Sequence, residues 1–333
     1  MTILVTGGAG YIGSHTVVAL LDAGCQVVVL DNLCNSKAQV FERIAAITGG
    51  QVDFVEGDVL DSGVLDRIFS SRTIEAVIHF AGLKAVGESV AEPLRYYRNN
   101  VGGTIALCQA MARHGCRKLV FSSSATVYGD PASVPVREDF PLAPTNPYGQ
   151  TKLLVENMLR DLAVSDSAWQ IMLLRYFNPV GAHRSGLIGE DPAGIPNNLL
   201  PFIAQVATGK RERLRVFGGD YATRDGTGVR DYIHVEDLAR GHLAALERLT
   251  PGCDAVNLGT GRGYSVLEMV NAFAEVSGRE IPYEIAPRRS GDIAECFADP
   301  AFSEQRLGWK AQLGLADMVK DHWRWQNSNP GGY

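Results

Sequence analysis

A buried strand, a glycine-rich turn and a helix follow one another at the start of the chain. Ile3–Thr6 is apolar enough for a buried strand, and Ser14–Ala23 has the apolar spacing of a helix. Between them, Gly7, Gly10 and Gly13 give the spacing G-x-x-G-x-x-G, which departs from the usual G-x-G-x-x-G fingerprint. Such a turn presents backbone N–H groups and a helix N-terminus, so the sequence predicts a site for the pyrophosphate of a dinucleotide.

Strands and helices continue to alternate along the chain. We predict strands at Gln26–Leu30, Val52–Val55, Ala76–Phe80, Lys118–Phe121 and Gln170–Arg175, with helices between them. This alternation is typical of a parallel sheet covered on both faces. The predicted fold is therefore α/β: a Rossmann-like doubly wound parallel sheet with a smaller C-terminal α/β substrate lobe. We assign residues 1–176, with part of 235–260, to the dinucleotide-binding domain and 177–333 to the substrate lobe.

The acidic residue at the end of the second strand bears on the choice of dinucleotide. Asp31 can accept hydrogen bonds from the adenosine ribose hydroxyls, and it would repel a 2′-phosphate. We therefore expect NAD to be preferred to NADP. Lys37 is a nearby cation that could meet a phosphate, but we interpret it as a solvated helix residue. Tighter binding of NADP than of NAD would refute this assignment.

A tyrosine and a lysine stand four positions apart near residue 150. Pro147 suits a helix entry, so Tyr148 and Lys152 fall on the same helical face, one turn apart. A neighbouring ammonium favours the phenolate, so we expect Lys152 to lower the pKa of Tyr148. Such a phenol can take or give a proton near neutral pH. The motif alone is common, and it gains weight from the other stretches of this chain.

Composition excludes several classes of protein. The chain has 333 residues, 46% of them hydrophobic, a net charge of −6 and no basic run, so nucleic acid is not an expected partner. No apolar stretch approaches the roughly 20 residues that span a bilayer. Six scattered cysteines favour reduced thiols in the cytoplasm over a disulfide framework or a zinc site. His79 lies in an apolar strand and is interpreted as a core residue, and we predict no metal site.

Taken together, these motifs resemble the extended short-chain dehydrogenase/reductase family, in particular its nucleotide-sugar 4-epimerases. The resemblance runs from residue 2 to about residue 326. It rests on the glycine spacing, on Asp31, on the serine run that ends at Ser124, and on Tyr148 with Lys152. Further stretches that carry it are Phe80–Ser89, Ser122–Gly129, Leu174–Pro179, Gly194–Leu199 and Gly226–Val235.

The resemblance implies a mechanism and a set of site residues. Tyr148 would take the proton of a UDP-sugar 4-hydroxyl while NAD oxidises carbon 4, Ser124 would bind the same oxygen, and Lys152 would hold the nicotinamide ribose. The implied cofactor contacts are Gly7, Gly10, Tyr11, Ile12, Gly13, Asp31, Asn32, Asn35, Ser36, Asp58, Val59, Phe80, Ala81, Gly82, Lys84, Asn99, Ser122, Tyr148, Lys152 and Phe177. The implied contacts to the UDP-sugar are Lys84, Ser124, Tyr148, Asn178, Asn198, Leu199, Val216, Phe217, Arg230, Tyr232, Arg289, Asp292 and Cys296.

Three positions bear on which reaction and which substrate to expect. A dehydratase or reductase of the same family is the alternative function, but related dehydratases carry acidic residues just after the serine, where this chain has Ala125 and Thr126, so this alternative is disfavoured. A non-catalytic dinucleotide-binding regulator is a third, disfavoured by the intact serine, tyrosine and lysine. Epimerases restricted to UDP-glucose and UDP-galactose have a large tyrosine where Cys296 stands. The smaller residue predicts that UDP-GlcNAc and UDP-GalNAc are also interconverted.

Two long helices carry apolar faces that need a partner. We predict them at Pro93–His114 and Tyr148–Val164. Paired across a two-fold axis they would form a four-helix bundle, and the family resemblance implies such a homodimer. The sequence alone equally allows these faces to pack within one subunit.

Overall fold

The structure, a computed structural model that describes residues 1–192, 194–289 and 292–333, is organised around strands. Its strands are β1 (Thr2–Thr6), β2 (Gln26–Asp31), β3 (Asp53–Glu56), β4 (Ala76–His79), β5 (Lys118–Ser124), β6 (Gln170–Tyr176), β7 (Asn178–Val180), β8 (Leu214–Phe217), β9 (Val229–His234), β10 (Gly252–Leu258), β11 (Gly263–Ser265), β12 (Tyr283–Ala286) and β13 (Glu295–Cys296).

Seven of these strands form one parallel sheet. Their order is β3-β2-β1-β4-β5-β6-β10, with β4 in the middle. All the pairings are parallel, and β10 adds itself to β6 over the whole of 252–258. The order reverses between β1 and β4, and ligands of open α/β sheets bind at such a point, outside the carboxyl ends of the strands. The fold therefore places the end of β1, the end of β4 and the end of β5 along one edge.

Helices cover both faces of this sheet. The α-helices in the described part of the chain are α1 (Tyr11–Asp22), α2 (Gln39–Thr48), α3 (Ser62–Ser71), α4 (Val86–Ala91), α5 (Pro93–Tyr96), α6 (Gly103–Arg113), α7 (Pro147–Ser165), α8 (Leu199–Ala207), α9 (Val235–Glu247), α10 (Val266–Ser277), α11 (Ala301–Leu307) and α12 (Leu315–Ser328). Successive residues of β1 alternate between two apolar clusters: Ile3 packs with α1, α2 and α9, and Leu4 with α3, α6 and α7. The predicted fold class, a doubly wound α/β sheet, is confirmed.

A smaller α/β part is built from the later segments. Strands β7, β9, β11 and β13 form a second sheet, and β8 pairs with β12 in a third. A separate apolar cluster joins α8, α10 and α12 to these strands. The division at residue 176 stays a prediction. No helix in the described part of the chain is both long and apolar enough to cross a membrane.

The predicted helix Pro93–His114 is interrupted. A π-helical segment at Tyr97–Gly102 separates α5 from α6, so the prediction of one regular helix is wrong in detail. Asn100 lies in this segment with its amide buried: it accepts from Leu83 N at 2.8 Å and donates to Thr151 Oγ1 at 3.0 Å. These bonds account for the irregularity, because π-segments often occur where a helix side chain serves a site.

Candidate active site

The glycine turn after β1 is packed too closely for any side chain at two of its positions. A Cβ on Gly7 would lie 2.7 Å from Ala81 N, and one on Gly13 would lie 2.3 Å from Gly7 O. Gly7 also has a positive φ of 72°. Gly10 caps α1 without a side-chain hydrogen bond. The first N–H groups of the helix are therefore not taken by a side-chain cap, and they suit the pyrophosphate of a dinucleotide.

The carboxylate of Asp31 is built into the neighbouring loops. It lies at the end of β2 and accepts from Ala9 N at 3.0 Å, Leu33 N at 2.9 Å and Ser36 Oγ at 2.9 Å. A carboxylate offers about four acceptor sites, so it can still receive a ribose hydroxyl. Asn32 beside it donates to Asp58 Oδ2 at 2.8 Å. Several predicted cofactor contacts are thus gathered at this end of the sheet.

The ammonium group of Lys37 is engaged by a carboxylate. Its Nζ lies 2.8 Å from Asp191 Oδ2. Lys37 precedes α2, so its interpretation as a helix residue is wrong, and the cation that could have met a 2′-phosphate is paired with Asp191 instead.

Ser124, Tyr148 and Lys152 meet where β5 faces α7. Tyr148 follows Pro147 in the first turn of α7, whose N-terminus is capped by Asn146 Oδ1 accepting from Gly149 N at 2.9 Å. Lys152 Nζ lies 5.9 Å from the centre of the Tyr148 ring and donates to Ser122 O at 2.6 Å. The lysine therefore bridges the helix and the strand that carries Ser124.

The prediction that Lys152 lowers the pKa of Tyr148 is wrong. Burial raises the pKa of Tyr148, and the hydrogen bond with Ser124 only opposes that rise. Burial also lowers the pKa of Lys152 to about 8, although Glu156 pulls it upward. The sequence could place the two side chains on one face, but it could not give the desolvation that both experience.

The hydroxyl of Ser124 is oriented by its neighbour. Thr126 Oγ1 donates to Ser124 Oγ at 2.9 Å, and Thr126 N donates to the same oxygen at 3.2 Å. Because the oxygen accepts two hydrogen bonds, the proton of Ser124 is left to donate elsewhere. In the sequence, Thr126 was notable only because it is not a carboxylate, and its contact with Ser124 was not predicted.

Two further buried side chains support the group and were also missed. Asn100 joins the loop after β4 to α7, because its partner Thr151 donates to Tyr148 O at 2.7 Å. Glu156, one turn beyond Lys152, accepts from Ser123 Oγ at 2.5 Å and from Arg175 Nη2 at 2.7 Å. The only signal for them in the sequence is a polar residue inside an otherwise apolar element.

A single buried carboxylate joins two predicted site residues. Lys84 Nζ lies 3.2 Å from Glu190 Oε1, and Asn198 Nδ2 donates to the same oxygen at 2.6 Å. Glu190 was not predicted, since it lies in a glycine-rich stretch without a motif.

Residues predicted to bind the nucleotide interact with one another. Arg289 Nε donates to Asp292 Oδ2 at 2.8 Å, and the Arg289 guanidinium lies 4.8 Å from the centre of the Phe217 ring. Arg230 donates to Val229 O at 2.8 Å. Phe217 belongs to β8 in the separate two-stranded sheet, so this group is built apart from Tyr148.

Cys296 lies in an apolar pocket beside a predicted cofactor contact. It is 8% exposed and belongs to one cluster with Phe177 and Val127, the latter just after Ser124. In the second sheet Cys296 is the register partner of Arg230. Burial raises the pKa of the Cys296 thiol to about 11, which keeps it in the unreactive thiol form.

The other predicted site residues are described by their hydrogen bonds or by their positions in the strands, helices and loops. Tyr11 Oη donates to Gly181 O at 2.8 Å, and Tyr232 is the register partner of the exposed Asn178. Asn99 donates to Asn100 Oδ1 at 3.0 Å. Those placed by position alone are Ile12 in the first turn of α1, Asn35 in the loop after β2, Val59 after β3, Phe80, Ala81 and Gly82 directly after β4, Leu199 at the start of α8 and Val216 in β8.

Comparison with known proteins was consistent with this arrangement. The model of the NAD dependent epimerase/dehydratase family matches residues 3–259. The chain is 64% identical to the UDP-glucose 4-epimerase of Bacillus subtilis, over 100% of this chain and 99% of that one. A solved UDP-glucose 4-epimerase from Bifidobacterium longum, in complex with NAD⁺ and UDP, superposes with a TM-score of 0.97 at 53% identity, covering 100% of both chains. The UDP-Glc/GlcNAc 4-epimerase of Campylobacter jejuni has a TM-score of 0.85 at 38% identity, covering 98% and 99%.

Proposed function

Because the chain belongs to the NAD dependent epimerase/dehydratase family, we propose that it interconverts UDP-glucose and UDP-galactose by inverting carbon 4 of the sugar. The observation that carries this proposal is the cluster of Ser124, Tyr148 and Lys152 at the carboxyl edge of the sheet. Full-length similarity to proteins named UDP-glucose 4-epimerase supports it.

Each residue of the cluster has a defined task in this proposal. Tyr148 takes the proton of the sugar 4-hydroxyl as the 4-ketose forms and returns it after the sugar presents its other face. Ser124 donates its free proton to the same sugar oxygen, in the orientation that Thr126 sets. Lys152 contributes positive charge, which favours the phenolate that burial disfavours.

NAD is the cofactor that this site suits. The uncapped first turn of α1 and the close-packed Gly7 and Gly13 leave room for a pyrophosphate against the backbone. Asp31 keeps an acceptor for the ribose, and Lys37 is already paired with Asp191. Bound there, NAD would supply the two-electron oxidation of the sugar and the reduction that reverses it, so it leaves each cycle unchanged.

The substrate range extends to 2-acetamido sugars in our proposal. Cys296 is small and packs in one apolar cluster with Phe177 and Val127, so it leaves more space than a tyrosine would. The similarity to an enzyme named UDP-Glc/GlcNAc 4-epimerase supports this extension.

The reaction is epimerisation and not dehydration in this proposal. A dehydratase needs an acid and a base after the serine, and Ala125 and Thr126 offer neither. The hydroxyl of Thr126 is moreover engaged with Ser124 at 2.9 Å.

We also propose that the protein is a homodimer that works in the cytoplasm. Large apolar side chains are exposed on the two helical regions predicted to pair, Leu94 at 82%, Ile105 at 41% and Leu154 at 38%, and Val90 at 63% lies on the preceding helix α4. In our proposal these side chains belong to one interface, since a large exposed apolar patch marks a site of protein interaction. All six cysteines are free thiols, which suits a reducing compartment.

One assay tests the reaction and the cofactor together. Purified protein is incubated with UDP-galactose without added NAD, and UDP-glucose is measured by chromatography. We expect UDP-glucose to form, and Tyr148→Phe to lower kcat by about a thousandfold, because it removes the proton acceptor. Failure of the wild-type protein to form UDP-glucose even with added NAD would refute the proposed reaction.

A further inference from the structure

The carboxylate of Glu190 connects two parts of the proposed site that are far apart in the chain. Lys84 follows β4 of the seven-stranded sheet, and Asn198 immediately precedes α8 of the smaller part. Both bind Glu190 Oε1, at 3.2 Å and 2.6 Å. The Glu190 side chain is only 5% exposed and the Lys84 side chain is 53% exposed, so a buried carboxylate makes charge-assisted contacts with both partners.

The backbone holds Glu190 firmly in this place. Trp325 Nε1 donates to Glu190 O at 3.2 Å. The preceding residue, Gly189, lies so close to Trp325 that a Cβ there would come within 2.4 Å of the indole ring. The carboxylate is therefore fixed with respect to α12, and its two partners have to adapt to it.

This contact decides which atoms Lys84 and Asn198 offer to a ligand. A carboxylate only accepts hydrogen bonds, so the amide nitrogen of Asn198 must face Glu190, and its Oδ1 is left as an acceptor. The ammonium of Lys84 keeps two further N–H donors, and its side chain is 53% exposed. Without Glu190, the amide could turn over and the long lysine side chain could sample other rotamers.

We propose that Glu190 is a positioning residue for the UDP-sugar, which acts by orienting the Asn198 amide and the Lys84 ammonium toward the substrate. The inference rests on the proposed function, because it takes the UDP-sugar as the ligand. Glu190 itself does not have to touch the sugar.

The first test compares two substitutions of buried carboxylates by amides. Glu190→Gln keeps the shape and one acceptor but loses the charge that holds Lys84. Glu236→Gln is the matched control, because Glu236 binds Arg184 of the same 181–198 segment at 2.9 Å and touches neither Lys84 nor Asn198. We expect Glu190→Gln to lower kcat/KM for UDP-galactose by about tenfold, mainly through KM. Glu236→Gln should stay within about threefold of the wild type, with bound NAD unchanged in both.

The second test separates positioning from stability by a double-mutant cycle. Lys84→Met is made alone and together with Glu190→Gln. If Glu190 acts through Lys84, Glu190→Gln should lower kcat/KM by a clearly smaller factor in the Lys84→Met background than in the wild type. Equal factors in both backgrounds, or wild-type kinetics for Glu190→Gln, would overturn the inference.

A third variant covers the case that Glu190→Gln does not fold. Glu190→Asp keeps the buried charge but withdraws it by one methylene from both partners, and kcat/KM should again fall about tenfold. A Glu190→Asp enzyme with wild-type kcat/KM would overturn the inference. An inactive wild-type protein would instead refute the proposed function, so the two failures can be told apart.

Discussion

The hydroxyl group of Thr126 is a small feature with a measurable effect. It donates to Ser124 Oγ at 2.9 Å, and in the proposed mechanism Ser124 in turn donates its proton to the substrate oxygen. Thr126→Val has nearly the same shape but cannot donate. We expect it to lower kcat by about tenfold, because Ser124 then loses one of the two hydrogen bonds that orient its hydroxyl. Thr126→Ser should restore most of the activity in the same steady-state assay, and full activity of the valine variant would contradict this role.

The side chain at position 296 tests the substrate range. Cys296 is 8% exposed and shares its cluster with Phe177 and Val127, so a larger side chain there would crowd these neighbours and, in our proposal, the sugar beside them. We expect Cys296→Tyr to abolish turnover of UDP-GalNAc while UDP-galactose is still converted. Both substrates are assayed on the same enzyme batch, with Cys296→Ala as the control that keeps the position small. Equal turnover of UDP-GalNAc by the tyrosine variant would show that residue 296 does not limit the range.

At the scale of single residues, the sequence indicated which side chains lie close together but not how deeply they are buried. The placement of Tyr148 and Lys152 on one helical face follows from a spacing of four, which a helix converts directly into proximity. Their pKa values depend on burial by segments distant in the chain, and the prediction for Tyr148 was therefore wrong. Glu190 escaped prediction for the same reason: its partner Lys84 is 106 positions away.

At the scale of secondary-structure elements, a buried ion pair fixes the helix α7 to the sheet. Glu156 is 0% exposed and Arg175 of β6 is 1% exposed, and they are joined at 2.7 Å and 3.0 Å. Burial opposes ionisation of Glu156, but its hydrogen bonds to Arg175 hold the pKa of Glu156 below its usual range. The pair thereby sets how α7 presents Lys152 to β5.

Removing one partner of this pair should lower the free energy of unfolding much more than replacing both partners by apolar side chains. We expect Glu156→Gln to lower the free energy of unfolding by about 3–5 kcal/mol, because Arg175 is left buried without its counter-charge. The double variant Glu156→Leu with Arg175→Met should recover most of that loss. Urea unfolding measures both, and Arg160→Ala, which removes a more exposed partner of Glu156, should cost at most about 1 kcal/mol. A Glu156→Gln protein of wild-type stability would refute the argument.

Elements were predictable where one periodicity runs through the segment. The central strands β1 and β4 are continuous apolar runs, because both of their faces are buried, and their positions were predicted closely. The break at Tyr97–Gly102 could not be predicted, since its cause is the set of bonds that Asn100 makes to Leu83 and Thr151.

The assembly of the whole molecule can be tested at a highly exposed apolar side chain of α5. Leu94 is 82% exposed on α5, next to the exposed Val90 of α4. We expect Leu94→Glu to convert the proposed dimer into a monomer, because a charge would be buried in an apolar interface. Light scattering after gel filtration gives the mass, with Ile285→Glu, at a 52% exposed residue of β12, as the control. A wild-type monomer, or a dimer that survives Leu94→Glu, would contradict the proposed interface.

The position of β10 has a consequence for how the chain is made. This strand, at 252–258, closes the outer edge of the sheet against β6, which ends about 75 residues earlier. During synthesis, the outer edge of β6 therefore stays unpaired until that stretch has left the ribosome. The unpaired backbone groups of a strand edge can form hydrogen bonds with other chains. We expect nascent chains truncated before residue 252 to aggregate or recruit chaperones, although they already carry Tyr148, Lys152 and the whole glycine turn.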